Sequence, residues 1–439
     1  PPPTPDVTVT ITAGPEQARQ GDVFVFSGEA RNPDGSEATD VSLSWSVSPA
    51  TSGFIMADGR FVGYAPGTAR VILSADGVSD TLEVQVQARA GPKGGFDIVG
   101  RGEVTTRFTS DLWVQRDVAY TATWGQHPSG RSGNALFAWD VSDPSAPVMT
   151  GSVTVDAVTV NDIKVRGDGT LAVITHEGSV DTLNGITLLD LTDPRAPTVI
   201  GRFTESLEAG VHNVWIDGDH VYACSDDANL RIIDISDPLA PVLVASFSAA
   251  PTPVHDVLVR DGLAFVSHWD AGLVILDVGN GAAGGSPDNP IVVGRVFTEG
   301  GQTHNAWYWP NGPYVFVGEE DFQTPGIMHV VNVSDLENPV EVATFRVPAT
   351  TPHNFWMDEE REILYLAWYT EGVFALDVSG ELLGELDRQD RLVASVRYDG
   401  PSPGVTSGIG TSTWAPQLYE GNVYISDLHS GLWVLRPVF

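Results

Sequence analysis

The strongest constraint in this sequence is a unit that recurs about every 50 residues and is built from strand and turn signals. "LFAWDVSDPSAPVMTGSV" (136–153) is followed by "ITLLDLTDPRAPTVIGRF" (186–203), "LRIIDISDPLAPVLVASF" (230–247) and "MHVVNVSDLENPVEVATF" (328–345), with a divergent copy in "LVILDVGNG" and "NPIVVGRV" (273–281 and 289–296). Each copy holds an apolar strand, a polar turn and a second strand after proline. Proline fixes φ and lacks a ladder donor, so it belongs in a turn or at the first residue of a strand. Between the copies lie two further strand-like runs, as in "VHNVWIDGDHVYACSDD" (211–227), "VHDVLVRDGLAFVSHWD" (254–270), "THNAWYWPNGPYVFVGEED" (303–321) and "PHNFWMDEEREILYLAWYT" (352–370). Four short strands repeated at this period predict an all-β chain carrying a β-propeller.

The innermost strands are predicted to begin near Ser110, Asn161, His212, His255, His304, His353 and Thr413, which gives a seven-bladed propeller over 97–439. The last unit stops one strand short. "GFDIVGRGEV" (95–104) copies "PTVIGRFTE", so strand 97–103 is expected to join the last blade, closing the ring and hiding two sheet edges. The runs "ITLLDLTDP" and "LRIIDISDPLAP" resemble the LVIVD repeat of bacterial and archaeal surface or secreted proteins. The resemblance spans 97–439 and implies a propeller at an extracellular, cell-surface or periplasmic location, with no assigned reaction. Two departures are the insertion "GNGAAGGSPDNP" (279–290) and "DVSGELLGEL" (377–386), where the Asp-Pro turn is lost.

Residues 1–5 read as a Pro-rich leader, of the kind left when a secretory or lipoprotein segment is removed. Residues 6–88 alternate in short strands separated by polar turns, the pattern of a β-sandwich. The run from Ser44 to Val86 resembles bacterial immunoglobulin-like (Ig-like) domains, with Trp45 as core aromatic, and 89–96 reads as a linker. A formal net charge of −34 excludes a duplex-binding role, because phosphate would meet a repulsive field. No apolar run approaches a membrane span, so an integral membrane protein is not expected, and attachment through a lipid on a preceding segment is the membrane alternative. Cys224 is the only cysteine and reads as a small buried hydrophobe.

Aligning the units gathers chemistry at one mouth of the propeller. His212, His255, His304 and His353 occupy the first innermost position in four consecutive units, where the others carry Ser110, Asn161 and Thr413. A scaffold need common to all units would not be one-sided, and imidazole is a ligand for Zn, Cu, Fe or Ni. These four histidines are the candidate metal ligands. Glu319, Asp256, Asn213, Asn305 and Asn354 are expected around them to fix ring tautomers. His176, His268 and Asp427, at the ends of second strands, are candidate proton-transfer groups, and Trp124, Trp269, Trp368 and Tyr369 candidate pocket walls. The other account of the Asn/Asp positions is structural, through bonds to loop backbone. Two functions follow as alternatives. One is an exported binding or assembly module that engages a protein or cell-surface partner and carries the metal site. The other is a metal-dependent enzyme, hydrolytic or oxidative, working at the histidines. Ser402 in "GPSPG" lacks the strand-turn-helix setting of a nucleophile elbow. "NVS" (332–334) matches a glycosylation sequon but sits at a strand end and is discounted, and the acidic runs "GEED" and "SDD" read as solvated turns.

Overall fold

A computed structural model describes residues 7–104, 106–125, 132–179, 183–322, 325–348, 350–398 and 411–439. The leader 1–5 and Ser402 lie outside these residues. Among them the regular structure is strand, apart from a single 3-10 turn at Leu386–Arg388. Contacts divide the chain into two units, one of residues 1–92 with 342–346 and 377–392, the other of 93–341, 347–376 and 393–439.

In the first unit, Gln17–Arg19, Val78–Gln87, Gly67–Ala75 and Ser44–Ser48 form a four-stranded sheet, accompanied by a three-stranded and a two-stranded sheet. Its fully buried aromatics are Phe26 and Phe61, packed edge to face at 5.6 Å with Val71 and Val84 around them. Trp45 is not central. It lies partly exposed at the edge of two apolar clusters, because its strand closes one side of the sheet.

The second fold element repeats. Six successive sheets each take four strands in chain order, running from Phe108–Gln115 to Val148–Thr154, Ile163–Val165 to Thr198–Phe203, Val211–Asp217 to Val242–Phe247, Asp256–Arg260 to Ile291–Val296, Thr303–Trp309 to Val340–Arg346, and Phe355–Asp358 to Leu392–Val396. The fifth of these also takes in the two-residue strand Gly384–Glu385. A further sheet combines Thr413–Tyr419, Asn422–Asp427 and Gly431–Val438 with Gly95–Glu103, which pairs antiparallel to Gly431–Val438. First strands of successive sheets touch one another, and Thr413–Tyr419 touches Phe108–Gln115. This is a propeller-like repeat of four-stranded antiparallel sheets.

Its core lies between neighbouring sheets. Tyr120, Leu136 and Ala138 of one pack on Ile163, Ile174 and Leu189 of the next. Tyr222, Cys224 and Ile232 meet Val257, Val266 and Leu276 in the same way. Each aliphatic side chain so buried contributes roughly 1.5–3 kcal/mol, so these wedges hold sheet to sheet where no ladder connects them. Cys224 is among them, and burial pushes its thiol well up.

The repeated Asp-containing turn has a local cause. Asp140 Oδ1 accepts from Ser142 N at 3.0 Å, and Asp143 Oδ1 accepts from Ser145 N at 2.9 Å. Asp190 and Asp193 do the same for Thr192 and Arg195, and Asp234 and Asp237 for Ser236 and Leu239. Two successive Asx turns reverse the chain between third and fourth strands. Asn332 and Asp335 substitute in the "NVS" copy, so Asn332 is held by Ser334 as a turn residue. Glycine opens the third strand for a steric reason. At Gly272 (φ +82°) an added Cβ would lie 2.3 Å from the Val296 carbonyl oxygen.

The 279–290 insertion is organised by one carboxylate. Asp277 accepts five backbone N–H groups, from Gly279, Asn280 and Gly281 at Oδ1 and from Ala283 and Gly285 at Oδ2, over 2.7–3.1 Å. Its burial favours the neutral acid, but these donors outweigh that and hold the carboxyl far below its ordinary range. A depressed folded pKa gives stability that is present above the unfolded value near 3.9 and is lost as pH falls. Asp277→Asn is therefore expected to cost about 1–3 kcal/mol at neutral pH. In denaturant titrations the gap from wild type should narrow as pH drops below about 4; an equal cost at pH 7 and pH 3 would contradict this account.

Candidate functional site

Four of the innermost strands do not enter their sheets in register. Thr109 pairs with Thr123 but Leu112 with Thr121, and Val211 pairs with Ser225 but Val214 with Ala223. Thr303 and Asn305 pair with Glu319 and Gly318, and Thr413 and Ala415 with Asp427 and Ser426. Each break inserts one extra residue, a bulge that re-aims the side chains at Ser110, His212, His304 and Trp414.

The result is an arc of touching rings. Centroids of His212 and His255, His255 and His304, His304 and His353, and His353 and Trp414 are each 4.3 Å apart. His255 Nδ1 donates to the His304 carbonyl at 3.1 Å and His353 Nδ1 to the Trp414 carbonyl at 2.6 Å, which leaves the Nε2 lone pairs of both rings free of a proton. His255 Nε2 and His304 Nε2 lie 4.0 and 3.7 Å from Glu320 Oε2. Ligand atoms of His255, His304 and Glu320 all fall within 4.8 Å of one another. The Tyr369 hydroxyl donates to the other Glu320 oxygen.

Burial and the neighbouring rings hold His255, His304 and His353 well below the ordinary imidazole value, so they are neutral. His212 behaves oppositely. Burial opposes its charge, but Glu177, 2.7 Å from Nδ1, together with Asp226 and Glu320 pushes it up to about 9. Burial also raises Glu320, against the Tyr369 hydrogen bond and the His212 charge. The arc therefore combines three neutral imidazoles, one imidazolium and one carboxylate.

A pocket of about 510 Å³ opens on this arc, lined by the four histidines, Glu320, Tyr369, Trp124, Trp414, Phe322 and Leu428. Of the expected walls, Trp124 and Tyr369 line it. Trp269 stacks on His255 at 5.0 Å instead. Trp368 is fully buried behind the arc, its indole N–H donated to the Thr350 carbonyl. Trp269 (φ +38°) and Tyr369 (φ +37°) are bulky residues in the left-handed region, where backbone strain is stored at sites that fix side-chain direction. Each pairs with the start of the next innermost strand, at Thr303 and Thr413.

Other expected residues serve elsewhere. Glu319 does not reach the arc: strand alternation turns it inward to His329 Nε2 at 3.0 Å, and the next residue, Glu320, takes the place at the mouth. The run "GEED" is thus not a solvated turn, since Glu319 is 1% exposed. His176 Nε2 meets the Thr187 hydroxyl at 2.8 Å, and His268 Nε2 accepts from Ala249 N at 3.2 Å. Asp427 accepts from the backbone N–H groups of Ser412, His429 and Ser430. All three candidate proton-transfer groups are engaged in holding turns and strands, and none lines the pocket. Asn305 faces the His304 ring. Asn213, Asn354 and Asp256 line a second, narrower cavity further along the same strands with Asp111 and Lys164. Glu320, Glu177 and Lys164 had no role in the sequence reading. Lys164 carried a signal nonetheless, as one of only two lysines in the chain.

The family model for the LVIVD repeat matches residues 107–155, 210–249 and 253–298. Those segments cover the Asp-Pro turn units around Asp143 and Asp237 and two of the histidine-bearing innermost strands. Among curated proteins none matches the chain.

The His212–Glu177 pair gives a pH test. A folded pKa raised from 6.5 to about 9 contributes stability that is complete below about 6.5 and is lost as pH rises through 9. Glu177→Gln should cost on the order of 2 kcal/mol at pH 6, with the difference shrinking by pH 10. The His212 ring protons in NMR titrations should then report a midpoint below 7. A His212 midpoint unchanged in the variant would remove Glu177 from this role.

Proposed function

We propose that the histidine arc binds one transition-metal ion through His255, His304 and Glu320, and that the metal and the aromatic pocket beside it together take a small ligand. In this reading residues 95–439 form a seven-bladed propeller and the N-terminal strands an Ig-like spacer, and the chain works as an exported or cell-surface binding module. Cyclic adjacency of the seven first strands supports the blade count. The observation that carries the metal is the convergence of two neutral imidazole Nε2 atoms and a carboxylate oxygen on one point. Ligands about 2.1 Å from one ion lie roughly 3.0–3.4 Å apart, so the 3.7 and 4.0 Å separations need to close by about 0.3 to 1 Å when the ion binds. Nδ1 donation from His255 to a backbone carbonyl pre-sets the tautomer that coordinates, the usual outer support of a metal-binding imidazole.

A second reading is favoured by the number of ligands. Two histidines and one carboxylate leave coordination positions open, the arrangement of zinc hydrolases and of non-haem iron oxygenases. With the open positions facing the pocket, the same centre would serve a metal-dependent enzyme. The Tyr369 hydroxyl and the His212 imidazolium would then be the groups at hand for proton transfer.

Elemental analysis of the full chain, purified without chelator, tests both. About one Zn, Fe, Cu or Ni per chain is expected, falling at least tenfold in His255→Ala/His304→Ala and in Glu320→Gln. No retained metal after incubation with each of the four ions would refute the site. A retained metal whose removal abolishes turnover of any ester or oxidisable aromatic probe would select the enzyme reading over the binding one.

A further inference from the structure

Three residues beyond the histidine position, the same strands build a different surface. Trp113, Trp215, Trp307 and Trp356 stand at that level, with Leu258, Lys164 and Pro416 from the remaining strands. Their indoles touch around the strand ring: Trp113 meets Trp215 and Trp356 edge to face at 5.9 Å, and Trp307 meets Trp356 at 4.8 Å. All four are partly exposed, and they line a pocket of about 250 Å³ at the turn end of the innermost strands, away from the histidines. One-third of the chain's 12 tryptophans thus sit at one level of the fold, four times in seven equivalent positions. An apolar-core role would bury them, and the equivalent positions would take any aliphatic residue.

Beneath the indoles lies a polar floor with unequal charges. Lys164 Nζ is 2.8 Å from Asp111 Oδ2 and also contacts Asp162 Oδ1, so its charge is met within the floor. Asp256 makes no such ion pair, although burial pushes its carboxyl up to about 6 against the more distant Lys164 charge. Its Oδ1 accepts from Val257 N at 2.8 Å, and its second oxygen meets no hydrogen-bond or ion-pair partner among the described residues. Asp256 lines the narrow cavity together with Trp215, Trp307 and Trp356, so the wide and narrow cavities share their aromatic walls. The guanidinium at the pocket rim, Arg260, is neutralised by both oxygens of Glu359.

Indole faces attract cations through the ring quadrupole, and alkylated ammonium groups, which cost little to strip of water, are the ligands such aromatic sites take. We infer that the tryptophan mouth is a second binding site, taking the head group of an alkylated ammonium compound between the four indoles and above the Asp256 carboxylate. The pocket falls just under the roughly 300–1,000 Å³ of drug-sized ligand sites, which suits a head group with a short tail. This site is independent of the proposed metal, since no residue lines both this pocket and the histidine pocket.

Choline titrated into the full-length chain, followed by tryptophan fluorescence and by calorimetry, tests the assignment. 3,3-Dimethylbutan-1-ol, the uncharged carbon isostere, and sodium chloride at matched ionic strength are the controls. Saturable choline binding is expected, at least tenfold tighter than the isostere, weakened at least tenfold in Asp256→Asn and several-fold in Trp356→Phe. Circular dichroism establishes that each variant is folded, and Trp356→Phe keeps the test open if Asp256→Asn is not. Absence of saturable choline binding overturns the proposal. So does equal affinity for choline and its isostere, which would make the mouth an apolar pocket only. Unchanged affinity in folded Asp256→Asn would equally remove the carboxylate from the site.

Discussion

A single extra residue at the start of the innermost strands decides what this fold presents at its centre. In an unbroken ladder, consecutive residues would face opposite sides of the sheet, and the histidine and the Asn/Asp that follows it could not both point inward. The bulges at His212, His304 and their equivalents remove that alternation locally. The first position then joins its neighbours in an arc of rings, while the second drops into the polar floor below. Two positions further on, regular alternation has resumed and the next inward residue is tryptophan in four strands. One irregularity thus stacks three chemically distinct levels along the same strands.

The levels solve the problem of burying charge in different ways. In the floor, Lys164 lies between Asp111 and Asp162. Asp111, whose burial alone would favour the neutral acid, is brought down by the lysine, while burial and the second carboxylate drive Asp162 well up. The lysine therefore compensates one ionised carboxylate of the pair that flanks it. At the arc, charge is avoided by keeping three imidazoles neutral, and the one imidazolium is placed at the end of the row beside Glu177. That placement sets the proposed ligands, His255 and His304, in the interior of the row between His212 and His353.

The sequence carried the all-β class and the four-strand unit legibly, because both rest on local chemistry. The Asp of the turn binds a backbone N–H two residues on, a proline follows in several copies, and Gly185, Gly272 and Gly372 open third strands where a Cβ would strike a carbonyl. Alignment of such units also places the four histidines at one level of the repeat. It could not distinguish Glu319 from Glu320, because that choice depends on which face of a strand end turns toward the mouth. It overvalued His176, His268 and Asp427 for a related reason. Sharing a level with the site is a property of alignment, whereas being engaged by Thr187, Ala249 or Ser430 depends on the course of loops. The tryptophans were visible as letters, but their meaning needed the knowledge that position three also faces inward.

The restriction of histidine to four consecutive strands now has a physical counterpart in the partner residues. Glu320 enters from the fifth sheet's second strand and Tyr369 from just beyond the second strand of the sixth, so carboxylate and hydroxyl both arrive on the histidine side of the ring. On the other side, Ser110 turns its hydroxyl to the Val160 carbonyl, and the Asn161 amide reaches Asn213 Oδ1, the His212 carbonyl and the His212 ring. Bonds to the next strand recur on the histidine side, from His255 Nδ1 to the His304 carbonyl and from His353 Nδ1 to the Trp414 carbonyl; what is confined to that side is the unprotonated Nε2 of these rings and the Glu320 carboxylate at the pocket, the groups the proposed coordination site would use.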